Sequence, residues 1–300
     1  MTFTANVKNE LCTLETRPIE ILSELSAIIR NSYKDQTIIK IITENILVAE
    51  RIYRLINLEY NISPQIIVRK GYNYNKNYLY ILEIKEVDMI CRDLNIEEVP
   101  KEYLVADEEQ IKAYLRGLFL IKGSVNDPQK SRYHLELSVD KEDYARFVLK
   151  ILSQYNINAK VIARDNNYMI YLKEAEKISD FLRIMKAYNA VLYFEDIKAY
   201  REHKNLVNRL NNCEQANVEK TINSALNQVS DIELIENKIG IDALDEKLQT
   251  VCVYRKKYKE ASLSELSNII SMETNTKVTK SGLNHRMRKI KEIANNLRRK

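Results

Sequence analysis

The sequence predicts an α+β body made of one unit repeated twice about a pseudo-two-fold axis, followed by an all-helical C-terminal domain. Three observations carry this: an apolar hub helix with a glycine on its contact line, an internal repeat, and a purely helical pattern after Phe194 that ends in concentrated positive charge. The hub is Tyr114-Leu115-Arg116-Gly117-Leu118-Phe119-Leu120-Ile121-Lys122-Gly123-Ser124. Leu115, Leu118, Phe119 and Lys122 recur at helical spacing, and Gly117 removes a side chain where a partner helix touches. The partner stretch is 22–32, Leu22-Ser23-Glu24-Leu25-Ser26-Ala27-Ile28-Ile29-Arg30-Asn31-Ser32, in which Ser26 and Ala27 are the small contact residues.

Taken in order, 1–15 is weakly helical, and Arg17-Pro18 sets proline at the start of the first hub helix, with Ile21, Leu22, Leu25, Ile28 and Ile29 as its apolar stripe. A strand at 37–42, a helix at 44–58, strands at 65–69 and 78–84 and a helix at 86–94 follow. The same order returns after the second hub: a strand at 133–139, a helix at 141–154, strands at 160–164 and 167–172, and a helix at 174–186. The residues repeat as well. Tyr60-Asn61-Ile62-Ser63-Pro64-Gln65-Ile66-Ile67-Val68-Arg69-Lys70 aligns with Tyr155-Asn156-Ile157-Asn158-Ala159-Lys160-Val161-Ile162-Ala163-Arg164-Asp165, with five of eleven identical. One copy alone leaves a sheet face and its hub uncovered, so the two copies are expected to pack through the hubs.

Beyond Phe194, one helix carries Ile197, Tyr200, Val207 and Leu210 beside the asparagines 205, 208, 211 and 212. A second carries Val218 to Ile235 and is capped by Gly240, and a third carries Leu244, Leu248, Val251 and Cys252. The expected domains are 1–105, 106–196, a helical linker at 197–220 and a C-terminal domain at 221–300.

Composition bounds the function. With 45% apolar residues, five glycines and four prolines, the chain is a folded protein and not a disordered one. No apolar run approaches the roughly 20 residues of a membrane span, and the first 30 residues do not read as a signal peptide, so no membrane partner and a cytoplasmic location are expected. Cys12, Cys91, Cys213 and Cys252 show no zinc spacing and read as free thiols. From Val251 to Lys300 there are 13 Lys and Arg against 4 Glu, a local +9, whereas the first 250 residues carry 34 basic and 38 acidic side chains. That asymmetry describes a polyanion-binding end on a near-neutral body.

The charged end has a recognisable form. Ser262-Leu263-Ser264-Glu265 is a capping box opening a short helix with Leu263, Leu266, Ile269 and Ile270 on its apolar stripe. A turn at 272–278 follows, and Thr279 caps a final helix with Leu283, Met287, Ile290, Ala294 and Leu297 on one face. Opposite that face lie Ser281, Asn284, His285, Arg288 and Lys289. A supporting helix, a turn and a second helix with donors in its N-terminal half is what a helix-turn-helix presents to the major groove of double-stranded DNA. The candidate DNA-binding residues are Lys277, Thr279, Lys280, Ser281, Asn284, His285, Arg286, Arg288 and Lys289.

Three stretches together resemble the WhiA family of bacterial regulators: the hub 114–124, Val207-Asn208-Arg209-Leu210-Asn211-Asn212-Cys213-Glu214-Gln215-Ala216-Asn217, and Val278-Thr279-Lys280-Ser281-Gly282-Leu283-Asn284-His285-Arg286-Met287-Arg288-Lys289-Ile290. The resemblance covers nearly the whole chain. It implies a body like LAGLIDADG homing endonucleases, a helix-turn-helix like region 4 of sigma factors, and roles in transcription control, cell division and chromosome segregation.

In those endonucleases each hub ends in an acid, and the pair holds divalent metal at the phosphodiester. Aligned on that motif, this chain has Lys122 at one acidic position and Ser32 at the other. An ammonium repels a hard cation and a lone hydroxyl binds it poorly, so the chain reads as non-enzymatic, with no metal and no cofactor. Asp35 and Asp127 read as solvated turn residues. Arg69, Lys70, Lys76, Arg132, Lys160 and Arg164, in or beside strands, are either phosphate contacts or an ordinary solvated sheet face. A competing reading is an interaction scaffold whose basic end binds RNA or an acidic protein, and a third, disfavoured by the missing acids, is an active homing-type endonuclease.

Overall fold

The computed structural model describes residues 2–70, 78–96 and 98–299. It divides into two units, Met1–Glu202 and His203–Lys300.

The first unit opens with α1 (Phe3–Thr13) and the hub α2 (Pro18–Arg30), with Pro18 at its first position. Then come β1 (Tyr33–Lys34), β2 (Ile39–Thr43), α3 (Ile46–Tyr60), β3 (Gln65–Lys70), β4 (Tyr78–Ile84) and α4 (Val87–Asp93). The second hub is α5 (Glu108–Lys122), opened by a capping box between Asp107 and Gln110. After it come β5 (Gly123–Val125), β6 (Leu135–Val139), α6 (Glu142–Gln154), β7 (Lys160–Arg164), β8 (Asn167–Leu172) and α7 (Ala175–Ile184). The duplication holds to the level of strand order: both sheets are antiparallel, β1-β2-β4-β3 and β5-β6-β8-β7. Asn61 and Asn156, aligned in the sequence repeat, both adopt left-handed backbone, with φ 54° and 56°. Asparagine tolerates that conformation because its short side chain hydrogen-bonds locally.

Two strands escape a sequence reading. β1 and β5 are two and three residues long, too short to show alternation, and each directly follows a hub and pairs with the next strand. The stretch assigned to the second hub therefore ends as helix at Lys122, and Gly123 and Ser124 are strand.

The hubs are the densest helix contact of the unit, and Gly117 is the reason. A Cβ placed there would lie 2.4 Å from the Glu24 carbonyl oxygen and 3.2 Å from the Ala27 Cβ. Leu25, Ile28 and Ile29 meet Leu115, Leu118 and Phe119 in one core that continues under both sheets. Ala27 is thus the small contact residue. Ser26 turns instead toward the end of α4, where its hydroxyl donates to Leu94 O at 3.4 Å.

The hub also buries charge. Glu24 accepts from Arg51 Nε at 2.5 Å through Oε1, and from Arg51 Nη2, Arg116 Nε and Arg116 Nη2 at 2.9, 2.8 and 2.7 Å through Oε2. Arg116 Nη2 also donates to Glu20 Oε2 at 2.8 Å. These four side chains are almost wholly inaccessible. Burial pushes the Glu24 carboxyl up, but the Arg116 charge and the Arg51 hydrogen bonds outweigh it and hold it below the usual carboxylate range.

The helical region differs from the expected pair of helices. A single α8 runs Tyr188–Ile239, straight through the asparagine-rich stretch, and the two units divide inside it. Gly240, at φ 81°, ends it as expected, its N–H bonding Ile235 O and Glu236 O at 3.2 Å. Then follow α9 (Glu246–Lys257), α10 (Leu263–Thr274) and α11 (Lys280–Arg299). In the second unit, Ile232 and Ile235 of α8 form a core with Leu248, Val251, Leu266, Ile270, Leu283, Met287 and Ile290.

Cys12, Cys213 and Cys252 are free thiols. Burial pushes the Cys12 thiol up to about 12 and the Cys252 thiol up to about 11, so neither is a thiolate at neutral pH. Among the described residues no helix is long and apolar enough to cross a membrane.

Candidate nucleic-acid interface

The final helix pair is built by caps. Ser262 accepts from Glu265 N at 3.2 Å, and Glu265 Oε2 accepts from Ser262 N at 2.8 Å, so the box closes in both directions. Asn275, at φ 52°, ends α10 in left-handed backbone. The turn is therefore 275–279, five residues and tighter than the sequence reading of 272–278, because α10 continues through Thr274. The Ser271 hydroxyl clamps it, accepting from Val278 N at 3.0 Å and donating to Ser267 O at 2.7 Å. Thr279 then caps α11, its Oγ1 accepting from Gly282 N at 3.1 Å.

Behind the pair, Arg255 of α9 is buried and donates to Ala261 O at 2.6 Å, fixing the approach to α10. Glu273 accepts from the Tyr258 hydroxyl at 2.9 Å and pairs with Lys257, tying α9 to the end of α10. Glu265 and Glu273 are thus used inside the scaffold, and the N-terminal half of α11 carries no acid.

Leu283, Met287, Ile290 and Ala294 root α11 in the core. Lys277, Thr279, Lys280, Ser281, His285, Arg288 and Lys289 are exposed, and Asn284 and Arg286 are half-buried. The expected single row of donors therefore divides. Ser281, His285, Arg288 and Lys289 occupy the outward face, whereas Asn284 sits on the flank beside α8. There it lines an open cleft of about 670 Å³ with Arg288, Lys291, Lys220, Asn223 and Asn227. Lys280 borders a separate cleft with Lys220, Ser262 and Ser264. Periodicity located the buried stripe but carried no information that α8 flanks α11, so Lys220, Asn223 and Asn227 were missed. Their signal was present as exposed asparagines on a helix.

At the hub ends, Ser32 spends its hydroxyl on Ile28 O at 2.8 Å, and Lys122 closes the last turn of α5. This donor set does not fit a hard divalent cation, which needs carboxylate or carbonyl oxygens. Asp35 accepts from the backbone N–H of Thr37 and Ile38 at 2.8 and 3.0 Å, and those bonds hold its carboxyl below the usual range. Asp127 accepts from Gln129 N at 2.9 Å and from the Tyr193 hydroxyl at 3.1 Å. Both are turn residues. Among the described residues no cluster of three or more His, Cys, Asp or Glu is arranged to hold a metal ion. Arg69, Lys70, Lys160 and Arg164 are exposed on β3 and β7, which are the edge strands of the two sheets, and Arg132 is exposed in the loop before β6. Lys76 lies outside the described residues.

Comparison with known proteins follows the same division. Family models described as the WhiA N-terminal LAGLIDADG-like domain, the WhiA LAGLIDADG-like domain and the WhiA C-terminal HTH domain match residues 19–97, 111–204 and 207–294. A probable cell division protein WhiA from Enterococcus faecalis is 40% identical over 100% of this chain and 99% of its own length. Another, from Ligilactobacillus salivarius, is 41% identical over 99% of this chain and 98% of its own. The crystal structure of full-length DUF199/WhiA from Thermatoga maritima is 28% identical, covers 99% of both chains and superposes with a TM-score of 0.61. Sequence repeat, paired hubs and capped C-terminal helices all agree with these matches, and the chain belongs to the WhiA family.

Proposed function

We propose that the chain is a non-catalytic regulator that binds double-stranded DNA through α11 and acts in transcription control during cell division and chromosome segregation, associated with the nucleoid. The observation that supports this most directly is the α10–α11 pair: doubly capped, rooted in its own core, and presenting an outward face of donors and cations without acids. Asn284 and Arg288 are one turn apart at the edge facing the cleft, and Asn suits adenine and Arg suits guanine as two-bond partners. Arg286, nearer the core, and Lys289, on the outer flank, suit phosphates, with Lys277, Thr279, Lys280, Ser281 and His285 completing the surface.

The test is titration of the full chain with its best site and with a scrambled duplex at several salt concentrations. Asn284→Ala or Arg288→Ala is expected to cost roughly 1–3 kcal/mol on the site and to relax preference there, whereas Arg286→Ala and Lys289→Ala weaken both duplexes alike and lower the salt slope by about one each. Equal losses on both duplexes for Arg288→Ala would remove it from base reading. Binding of single-stranded RNA without binding of duplex DNA would favour the scaffold reading.

Catalysis has its own test. Supercoiled and linear duplex are expected to remain uncut with Mg²⁺ or Mn²⁺, and Asp35→Ala/Asp127→Ala is expected to bind DNA normally. Metal-dependent nicking that this double variant abolishes would overturn the non-catalytic reading.

A further inference from the structure

Within the second unit, α8 is a helix with no covered side as far as Thr221: every residue from His203 to Thr221 is exposed. A polar helix exposed all round has little packing to stabilise it. An ordinary connecting helix compensates with strong helix formers such as Ala, Glu and Lys. This one carries seven asparagines between positions 205 and 227, a residue that competes with its own backbone for hydrogen bonds and is among the poorer helix formers. The asparagines serve something other than helix stability.

Their spacing shows what. Four of the seven, Asn205, Asn212, Asn223 and Asn227, fall with Arg209 and Lys220 at intervals of four, three, eight, three and four from Asn205 to Asn227, with Ala216 inside the interval of eight, so these six form one stripe along the helix. At 1.5 Å per residue it is about 33 Å long, close to one turn of B-form DNA. All six are exposed. Neither acid of the span interrupts the stripe: Glu214 projects from the opposite side, and Glu219, at the flank, accepts from Gln215 Nε2 at 3.1 Å. The apolar Val207, Leu210 and Val218 also lie away from it. The C-terminal end of the stripe, Lys220, Asn223 and Asn227, lines the same cleft as Asn284, Arg288 and Lys291 of α11. In that cleft Arg298 is already paired with Asp231 at 2.6 Å, and among the described residues Lys220, Arg288 and Lys291 have no acidic partner.

We infer that this stripe of α8 is a second DNA-contacting surface, which holds the sugar-phosphate backbone of the duplex that α11 enters. The inference rests on the DNA-binding reading of α11 and extends it to an element outside the helix-turn-helix. Charge selects the occupant: amide N–H groups and cations without acids match phosphate oxygens, the acceptors that take most protein–DNA hydrogen bonds. A protein partner would call for an aromatic or apolar centre, and the stripe has only Ala216. Arg209 and Lys220 are about 16 Å apart along the helix, far enough to contact separate phosphates.

The experiment measures fluorescence anisotropy of the full chain on a 30-bp mixed-sequence duplex across a salt series, with circular dichroism as the folding control. Arg209→Gln/Lys220→Gln is expected to bind at least tenfold more weakly at low salt, equally on any sequence, with a salt slope smaller by about two. Lys204→Gln, a single neutralisation off the stripe, is expected to bind as the unaltered chain does. Unchanged affinity in the double variant, beside weakened binding by Arg288→Ala, would overturn the α8 inference and leave the α11 reading standing. Unchanged affinity in all variants would overturn both. An equal loss in Lys204→Gln would replace the stripe with diffuse charge, and a change in sedimentation of the double variant without DNA would make the stripe a contact between copies of the chain.

Discussion

Gly117→Ala is expected to destabilise the first unit by at least about 2 kcal/mol, although the same change in an open helix stabilises. In a solvent-facing helix, alanine in place of glycine gains about 1 kcal/mol of intrinsic propensity. Here the new Cβ would sit 2.4 Å from the Glu24 carbonyl oxygen, an atom of the partner helix's backbone that has no rotamer through which to move aside. The hubs must separate, and the loss spreads to every contact along them, including Leu25, Ile28 and Ile29 against Leu115, Leu118 and Phe119. Forced overpacking of a tight core costs about 1–3 kcal/mol or more, which outweighs the propensity gain. Gly282→Ala is the matched control: its Cβ would meet only the Thr279 hydroxyl, at 3.2 Å, and the expected change is near zero or a small gain. Urea denaturation followed by circular dichroism checks both, with hydrogen exchange locating the loss in α2 and α5. A Gly117→Ala chain as stable as the original would mean that the hub backbones are not in contact.

The hub pairing was legible because it is written locally: a glycine on an apolar helical line, and a second line of small residues in the matching half of a repeat. The equivalence of the two halves followed once the repeat was found, and Asn61 and Asn156 turn the chain identically. What lacked a local signature was not legible. β1 and β5 are too short to alternate. The continuity of α8 is another case: one helix through the asparagines and a second from Val218 are expected from the apolar spacing, and no local signal shows that the two are one. In the final pair, caps and the buried stripe were readable from spacing alone. The flank occupied by Asn284 depends on α8, some sixty positions earlier, and only the folded chain brings them together. The buried charges of the hub belong to the same class, because Glu24 finds its partners 27 and 92 positions away.

That buried cluster sets the largest effect expected of any single substitution, in Glu24→Ala. Glu20 and Glu24 face Arg51 and Arg116, two charges of each sign, and the protein supplies hydrogen bonds around them, including Arg51 to Leu14 O at 2.8 Å and to Thr16 Oγ1 at 2.9 Å. Such a cluster need not stabilise the fold relative to an apolar one, but removing one member leaves an uncompensated buried charge and costs about 3–5 kcal/mol. Glu24→Ala removes the carboxylate that both guanidiniums share, leaving Arg116 with Glu20 and, among the described residues, Arg51 with no acid. Acid has the same effect more gradually. The Glu24 pKa in the folded chain lies below its unfolded value, ordinarily about 4.3, so its contribution is fully present above that value and is lost as pH falls through the folded one. Urea midpoints measured from pH 7 down to pH 3 are therefore expected to fall in the unaltered chain below about pH 4.3. Glu24→Gln, already less stable at pH 7, is expected to fall less steeply over the same interval because the group that would take up the proton is gone. A Glu20→Leu/Glu24→Leu/Arg51→Met/Arg116→Met chain, which removes all four charges together, is expected to recover most of what Glu24→Ala loses. Parallel acid limbs in the unaltered and Glu24→Gln chains would show that the linkage lies in other carboxylates.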